Sequence, residues 1–159
     1  QVGIVEAVNF NAPAQVVIAG KTEAVQAAMK NATERGAKRA LILPVSVPAH
    51  SSLMRPAADK LADALENIEF NQPAIPVVQN VAARIEADVL AMRQALVAQL
   101  YSPVKWVATV DWLAAQGVSR IIECGPGKVL CGLNKRINKS LVCESLETTS
   151  SLVNALANQ

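Results

Sequence analysis

From residue 55 onward, segments with helical periodicity alternate with short runs rich in β-branched residues. Strands that are repeatedly separated by helices are typical of a parallel α/β sheet. Aromatic residues make up only 3% of the chain, so the core must be built from Val, Ile, Leu and Ala, which suits such a sheet. The predicted elements are a helix opened by Pro56, a strand over 75–81, helices over 89–101 and 102–117, a strand over 119–124, a loop and helix over 125–137, a strand over 140–145 and a weak helix over 148–159.

Prolines set two of the predicted helix boundaries. Pro56 suits the first turn of a helix, and an apolar stripe follows it. Pro103 disfavours helical geometry at Ser102, so the helix over 89–101 is expected to end at Tyr101. Ser102 and Pro103 are then expected to cap and open the next helix, which Gly117 closes. The stripe after Pro56 consists of Ala57, Leu61, Ala64, Leu65 and Ile68.

The first 44 residues follow a different pattern. Two β-rich runs flank the turn signal Asn11-Ala12-Pro13, which predicts a hairpin. Thr22 offers an N-cap for a helix over 23–35, and Gly36 stands where a left-handed C-cap belongs. The run RALILPV predicts one more buried strand. The order β-β-α-β is most of a ferredoxin-like unit, whose opening elements we expect upstream.

Bulk composition excludes several classes of protein. The apolar share of 52% with 18% charged residues and a net charge of +2 predicts a folded domain that is no general nucleic-acid binder. The longest uncharged stretch, 40–54, is broken by two prolines and is shorter than the roughly 20 apolar residues of a membrane span. The three cysteines are an odd number without a signal peptide, which favours reduced thiols in the cytoplasm. Their spacing, with one histidine, predicts no metal site.

His50 is the first candidate for chemistry. It follows a predicted buried strand, and ligands of α/β sheets bind beyond the carboxyl ends of strands. Pro44 and Pro48 stiffen the loop, and an imidazole in a rigid loop can act as a general base. The alternative is a surface or capping histidine. The residues contain no G-x-S-x-G elbow, so serine catalysis cannot be completed here. Cys124 and Cys131 lie among apolar residues and are expected to be structural.

A second candidate is the string ECGPGKVL. A strand, a glycine-rich turn and a helix that begins near Lys128 outline a phosphate cradle, although an ordinary tight turn fits as well, because the spacing of known phosphate loops is missing. Lys135, Arg136 and Lys139 follow on the same helix. They could dock an acidic partner or could simply be solvated.

Four strings taken together carry a family resemblance. In order and separation, VNFNAPAQVVIAG, PVSVPAHSSLM, LVAQLYSPVKW and IIECGPGKVLCGL closely resemble the malonyl-CoA:acyl carrier protein transacylases of type II fatty-acid synthesis. The resemblance implies part of an α/β-hydrolase-like acyltransferase fold with most of an inserted ferredoxin-like subdomain. On that basis residues 1–44 are expected to form the incomplete small subdomain and residues 45–159 the C-terminal part of the large one.

The resemblance also implies an activity and assigns roles. In the family a serine takes the malonyl group from CoA and passes it to the phosphopantetheine thiol of acyl carrier protein, with no cofactor. His50 matches the catalytic histidine, and Gln99 matches the residue whose main-chain carbonyl orients it. The remaining matches are Asn9, Asn11 and Val129 for substrate binding and Lys135 with Arg136 for carrier-protein docking.

The family's serine, its malonate-binding arginine and its oxyanion loop have no match in these residues. We therefore expect them in an upstream segment of the same enzyme, and we expect the 159 residues alone to be inactive. Two other hypotheses stay open at this point. The chain could be a non-catalytic module that binds carrier protein or CoA, or a stand-alone nucleotide-binding domain, although the missing phosphate-loop spacing disfavours the latter.

Overall fold

The fold begins with a β-hairpin. The computed structural model describes residues 3–157. Strand β1 (Val5–Ala12) pairs antiparallel with β2 (Gln15–Gly20) across a turn at Pro13 and Ala14. This confirms the predicted hairpin. Two register shifts interrupt the ladder, one between Ala7 and Asn9 and the other between Phe10 and Ala12. Such bulges increase the local twist of a strand and re-aim its side chains.

Helix α1 (Thr22–Glu34) packs against the hairpin. It begins one residue earlier than predicted, because Lys21 and not Thr22 is the N-cap residue. Gly36 follows the helix with φ +94°. This left-handed conformation, which glycine adopts without a steric penalty, confirms the predicted stop.

The predicted buried strand over 39–45 is wrong. Within residues 3–157 no strand pairs with this segment, and Leu41, Ile42 and Val45 are 59%, 64% and 66% exposed. The backbone instead makes two three-residue turns, in which the N–H groups of Val45 and Ala49 donate to the carbonyls two residues earlier at 2.8 Å. The central residues are Pro44 and Pro48, whose fixed φ is close to that of an inverse γ-turn. The prolines therefore bend the chain locally where apolarity alone predicted a strand.

A short 3-10 turn (Ser52–Met54) leads into α2 (Arg55–Glu66). Pro56 lies in the first turn of α2, as predicted. The buried residues of α2 are Ala58 and Leu65. The predicted stripe was therefore correct at Leu65, Leu61 is half-buried, and the prediction was wrong at the exposed residues Ala57, Ala64 and Ile68. Helix α2 packs against α3.

The predicted strand over 75–81 shrinks to β3 (Val78–Gln79), which pairs with β4 (Arg84–Ile85) in an antiparallel hairpin. Ile75 is 79% exposed, so most of the apolar run lies outside the strand.

Helix α3 (Val89–Tyr101) ends at the predicted residue. The side chain of Asp88 caps its first turn by accepting a hydrogen bond from Ala91 N–H at 2.8 Å. Helix α4 (Trp106–Ala115) begins later than predicted. Ser102 is the C-cap of α3 and Lys105 the N-cap of α4, so the prediction that Ser102 and Pro103 open α4 was wrong.

The last unit is the parallel one. Strand β5 (Arg120–Glu123), helix α5 (Val129–Ile137) and strand β6 (Val142–Ser145) form a strand-helix-strand crossover whose two strands pair in parallel. This confirms the predicted α/β pattern. Helix α6 (Thr149–Ala157) follows, and the last two residues of its predicted range, 158–159, lie outside the described residues. None of the helices within 3–157 has both the length and the hydropathy of a membrane span.

Strand β1 joins the parts of the fold. Helices α4 and α5 both pack against it. Val104, between α3 and α4, donates to Val8 and accepts from Phe10, both at 2.9 Å. The segment after α3 therefore forms a short parallel bridge with β1, which places the end of α3 beside the hairpin. The division at residue 44 stays a prediction.

Candidate active site around His50

The backbone of His50 is held in an uncommon conformation. Its φ is +64°, in the left-handed region. Its N–H donates to the carbonyl of Leu100 at 2.9 Å. The next residue, Ser51, is fully buried, and its hydroxyl donates to the carbonyl of Pro48 at 2.6 Å. Because the neighbouring bonds fix the loop, the left-handed geometry persists at a residue that is not glycine.

The imidazole of His50 faces the last turn of α3. Its Nδ1 lies 2.7 Å from the main-chain carbonyl oxygen of Gln99. A carbonyl oxygen only accepts hydrogen bonds, so Nδ1 carries a proton, and in the neutral ring Nε2 is the nitrogen that keeps its lone pair. The side-chain amide nitrogen of Gln99 donates to Ser102 at 3.0 Å. The same amide nitrogen lies 3.4 Å from Nδ1. Since both nitrogens are donors, they do not form a hydrogen bond with each other, and the Gln99 carbonyl is the partner that fixes the tautomer.

The carbonyl of Gln99 is free for this contact because of the sequence that follows. The last carbonyls of a helix lack intrahelical donors. The residue four positions after Gln99 is Pro103, which has no N–H to donate. The N–H of Val104, four positions after Leu100, is used by Val8. The end of α3 thus presents two neighbouring acceptors, one to the ring and one to the backbone of His50.

Glu6 on β1 holds the other side of the loop. Its carboxylate accepts from Ser52 N–H at 2.7 Å and from the Ser52 hydroxyl at 2.6 Å. Hydrogen bonds from the Ser52 side chain and then its backbone lower the pKa of Glu6, with a smaller contribution from Arg55. Arg55 in turn stacks over the Tyr101 ring at 4.3 Å. The start of α2 is therefore tied to both β1 and the end of α3.

The two serines beside His50 have other partners. The Ser51 hydroxyl donates to Pro48, and the Ser52 hydroxyl donates to Glu6. Each hydroxyl proton is thus directed away from the imidazole. Neither serine therefore has the hydrogen bond to the imidazole that would activate it as a nucleophile of a serine-histidine pair.

Asn9 and Asn11 lie on β1 and are half-buried. The backbone of Asn9 forms a parallel bridge with Val104, five residues after Gln99. The structure therefore brings the strand that carries Asn9 to the segment that carries the histidine's acceptor.

The carboxylate of Glu123, the last residue of β5, caps the first turn of α5. Glu123 accepts from Leu130 N–H at 3.0 Å and from Cys131 N–H at 2.8 Å. Desolvation raises the pKa of Glu123, but hydrogen bonds led by those from Cys131 and Leu130 outweigh it, and the pKa is lowered. These are the amides that a phosphate at this helix end would need. An ordinary strand-to-helix turn therefore explains the string better than a phosphate cradle does.

Helix α5 carries the remaining predicted residues. Val129 is its first residue and is 72% exposed. Lys135 and Arg136 are exposed in its last turn. All three residues thus lie on the helix that packs against β1, the strand that also contacts the segment after Gln99.

The cysteines differ in burial. Cys131 is buried and Cys143 half-buried, whereas Cys124 is exposed, so the expectation that Cys124 lies among apolar residues was wrong. Burial, then hydrogen bonds with Cys143 and Glu123, raises the pKa of Cys131 to about 12. Such a thiol is a poor nucleophile at neutral pH. Within residues 3–157 no group of three or more His, Cys, Asp or Glu could hold a metal ion.

Three residues whose side chains join different elements through hydrogen bonds were not predicted from the sequence. Glu6 and Glu123 are described above. The third is Asn134 on α5, which has no exposed surface and accepts from Trp106 Nε1 at 3.0 Å. Its amide nitrogen also donates to the Cys143 sulfur at 3.4 Å. A polar residue on an otherwise apolar helix face was the available signal.

An open depression of about 330 Å³ lies beside α3, bordered by Val81, Arg84, Glu86 and Ala91 among others. His50 does not line it. The candidate chemistry therefore does not depend on this depression.

Comparison with known proteins gives the same family as the four strings. Over 153 residues the chain is 54% identical to the malonyl CoA-acyl carrier protein transacylase of Salmonella typhimurium, which covers 96% of this chain and 50% of the relative. The chain is homologous to the malonyl CoA-acyl carrier protein transacylases. The family resemblance inferred from the sequence is thereby confirmed. The chain spans about half the length of the curated relatives it matches. No family model matches the sequence.

Solved structures of transacylases agree with this assignment. A malonyl-CoA:acyl carrier protein transacylase from Xanthomonas oryzae superposes with a TM-score of 0.96 at 50% identity, over 98% of this chain and 50% of the other. A malonyl-transacylase in complex with a type II PKS acyl-carrier protein gives a TM-score of 0.98 at 54% identity, over 100% of this chain and 52% of the other. The mixed helix and strand content of the transacylases is therefore shared by this chain.

Proposed function

We propose that the natural protein carrying this sequence transfers malonyl groups from CoA to the phosphopantetheine thiol of acyl carrier protein. The observation that carries the proposal is the 2.7 Å contact between His50 Nδ1 and the Gln99 carbonyl. It makes Nε2 the basic nitrogen of the neutral ring, in a chain homologous to transacylases. A surface or capping histidine would not need a tautomer fixed in this way.

His50 would act as base and then as acid in two half-reactions. Nε2 takes the proton of a serine hydroxyl while that oxygen attacks the malonyl thioester, and CoA leaves as the thiol after receiving the proton. The phosphopantetheine thiol then gives its proton to Nε2 and attacks the serine ester, and His50 returns the proton to the serine oxygen. A neutral carbonyl stabilises imidazolium less than a carboxylate would, but it still fixes the ring and its tautomer.

The serine must come from outside these residues. We assign it, with the malonate-binding arginine and the oxyanion loop, to an upstream segment of the same enzyme, because these residues contain no G-x-S-x-G elbow and the two serines beside His50 have other partners. The subdomain division at residue 44, the ferredoxin-like and hydrolase-like character of the two parts, and a cytoplasmic setting belong to the same proposal.

The roles of the other predicted site residues are also proposals. Asn9 and Asn11 would face the thioester from β1, next to the segment after Gln99. Val129 would form part of the wall of the site from the exposed start of α5. Lys135 and Arg136, exposed in the last turn of α5, would meet the acidic carrier protein. The solved complex of a similar malonyl-transacylase with its acyl-carrier protein supports a carrier-protein surface on this chain.

The test uses malonyl-CoA labelled in the malonyl group, the natural full-length protein and its His50→Ala variant. The wild-type protein should pass label to holo carrier protein. His50→Ala should lower the rate by about two to four decades, the usual contribution of a general base. The 159 residues alone should retain no label, and peptide mapping of the quenched full-length protein should place the ester on a serine outside them.

Three results would contradict the proposal. A full-length protein that does not malonylate carrier protein would end the assignment of function. Label on a residue within the 159 would contradict the assignment of the nucleophile. Unchanged transfer by His50→Ala would favour the non-catalytic binding module, which the homology does not support. Glu69→Ala, a change at an exposed carboxylate in the loop after α2, is the control and should leave transfer unchanged.

A further inference from the structure

Hydrogen bonds to two other elements, the end of α3 and strand β1, hold the loop that carries His50. The end of α3 supplies one side through Gln99 and Leu100. The other side is a single side chain, Glu6, which reaches from β1 to the residue two positions after His50. The proposed mechanism makes no use of Glu6.

We propose that Glu6 is a positioning residue that holds His50 in register with the Gln99 carbonyl through its two hydrogen bonds to Ser52. The inference rests on the proposed function for its effect on catalysis, but its effect on the ring can be measured without activity. The two hydrogen bonds of Glu6 go to Ser52 and not to the imidazole, so we expect Glu6 to act through the loop.

The geometry at Ser52 explains why a carboxylate is needed. Ser52 begins the 3-10 turn that continues into α2, so its N–H belongs to the unsatisfied donors of a helix start. Ser51, the residue before this turn, makes no side-chain cap. Glu6 supplies the missing acceptor from another element and places a negative charge at the positive end of the helix. Charge-assisted bonds of 2.6 and 2.7 Å are among the strong ones.

The strained backbone makes the loop sensitive to this contact. His50 has a left-handed φ of +64°, which a non-glycine residue keeps only where its surroundings enforce it. Between the bonds to α3 and the bonds to Glu6 lies only Ser51, so little chain is available to absorb a displacement. A shift of Ser52 would therefore move the imidazole relative to the carbonyl that sets its tautomer.

The test compares Glu6→Ala, Glu6→Gln and Ser52→Ala in the natural full-length protein. Glu6→Ala removes both acceptors, and Glu6→Gln keeps one oxygen and removes the charge. Ser52→Ala removes the hydroxyl and keeps the N–H. Glu69→Ala is the matched carboxylate control. Amide hydrogen exchange of the peptide that contains Ser52, ¹⁵N NMR of the His50 ring, and kcat and KM for malonyl transfer are measured for each.

We expect Glu6→Ala to accelerate exchange at Ser52, to broaden the Nδ1–H signal of His50 and to lower kcat by about 10- to 100-fold, the loss typical of a displacement near 1 Å. The KM for malonyl-CoA should change less than about twofold, since ground-state binding is untouched. Glu6→Gln and Ser52→Ala should show smaller losses of kcat in the same direction. Glu69→Ala should match the wild type in every measurement.

An unchanged kcat in Glu6→Ala, or a rise in KM without a fall in kcat, would overturn the inference while leaving the proposed function intact. If the wild-type protein transfers no malonyl group, the proposed function fails, and the Nδ1–H signal of His50 alone tests the positioning role of Glu6. An Nδ1–H signal as sharp in Glu6→Ala as in Glu69→Ala then overturns the positioning role. If Glu6→Ala does not fold by circular dichroism, Glu6→Gln and Ser52→Ala decide by the same readouts.

Discussion

Replacing Asn134 by leucine should destabilise the protein by about 2–4 kcal/mol. Asn134 has no exposed surface, and its side-chain oxygen accepts from Trp106 Nε1 at 3.0 Å. Leucine is larger than asparagine, so the change overpacks a fully buried position, which costs at least about 1 kcal/mol. It also leaves the indole N–H of the half-buried Trp106 without its acceptor, which costs about 1–3 kcal/mol. The contact joins α5 to α4, so the loss should appear in the global unfolding free energy.

Urea unfolding of the natural full-length protein, followed by circular dichroism, measures this loss. A double-mutant cycle separates the bond from the packing: Trp106→Phe removes the donor, and the double variant removes both partners and leaves no unpaired group. The two changes should therefore couple by about 1–2 kcal/mol. Asn154→Leu, the same change at an exposed position of α6, should cost less than about 0.5 kcal/mol. A cost for Asn134→Leu as small as that of the control, or strict additivity with Trp106→Phe, would refute the reasoning.

Two further predictions concern titration. Since the folded-state pKa of Glu123 is lowered from 4.5, its contribution to stability is present above that value and is lost as the pH falls through the folded pKa; unfolding free energies from about pH 6 to pH 3 should decline more steeply for the wild type than for Glu123→Gln, and parallel curves would contradict this. Cys124 is exposed and the pKa of Cys131 is about 12, so at about pH 8 a maleimide, with modified peptides identified by mass spectrometry, should label Cys124 well before Cys131; equal rates would contradict it.

The regular elements were predictable where local chemistry and tertiary structure agree. The end of α3 at Tyr101 follows from the conformational restriction that Pro103 places on the residue before it. The parallel pair β5 and β6 follows from two β-rich runs separated by a loop and a helix. Both signals lie within a few residues of the feature they predict.

Predictions failed where the deciding partner is distant or where proline acts in two ways. The segment 39–45 has the apolarity of a strand, but Pro44 and Pro48 close local turns and no strand within 3–157 pairs with it. Ser102 and Pro103 have the chemistry of a helix start, yet Ser102 closes the preceding helix and the chain runs beside β1 before α4 begins. Pairing with β1 could not be predicted from the local residues.

The candidate site was predictable only in part from physical reasoning. The loop prolines and the place after an apolar run indicated His50. Gln99 came from the family resemblance, although its carbonyl could have been inferred: a proline four residues later leaves it without a helical donor. Glu6 could not, because its partner Ser52 lies 46 residues away and nothing local marks the pair.

The left-handed φ at His50 separates what folding needs from what chemistry needs. Glycine adopts that conformation without strain, and its own entropic cost of about 0.5–1 kcal/mol is smaller than the penalty of about 1–2 kcal/mol that it would relieve. The ring contributes one hydrogen bond, to the Gln99 carbonyl, but the other bonds that hold the bend come from the backbone of His50 and from Ser51. A chain selected only for thermostability would therefore gain little from an imidazole at position 50, and the histidine there indicates a requirement beyond the architecture of the loop.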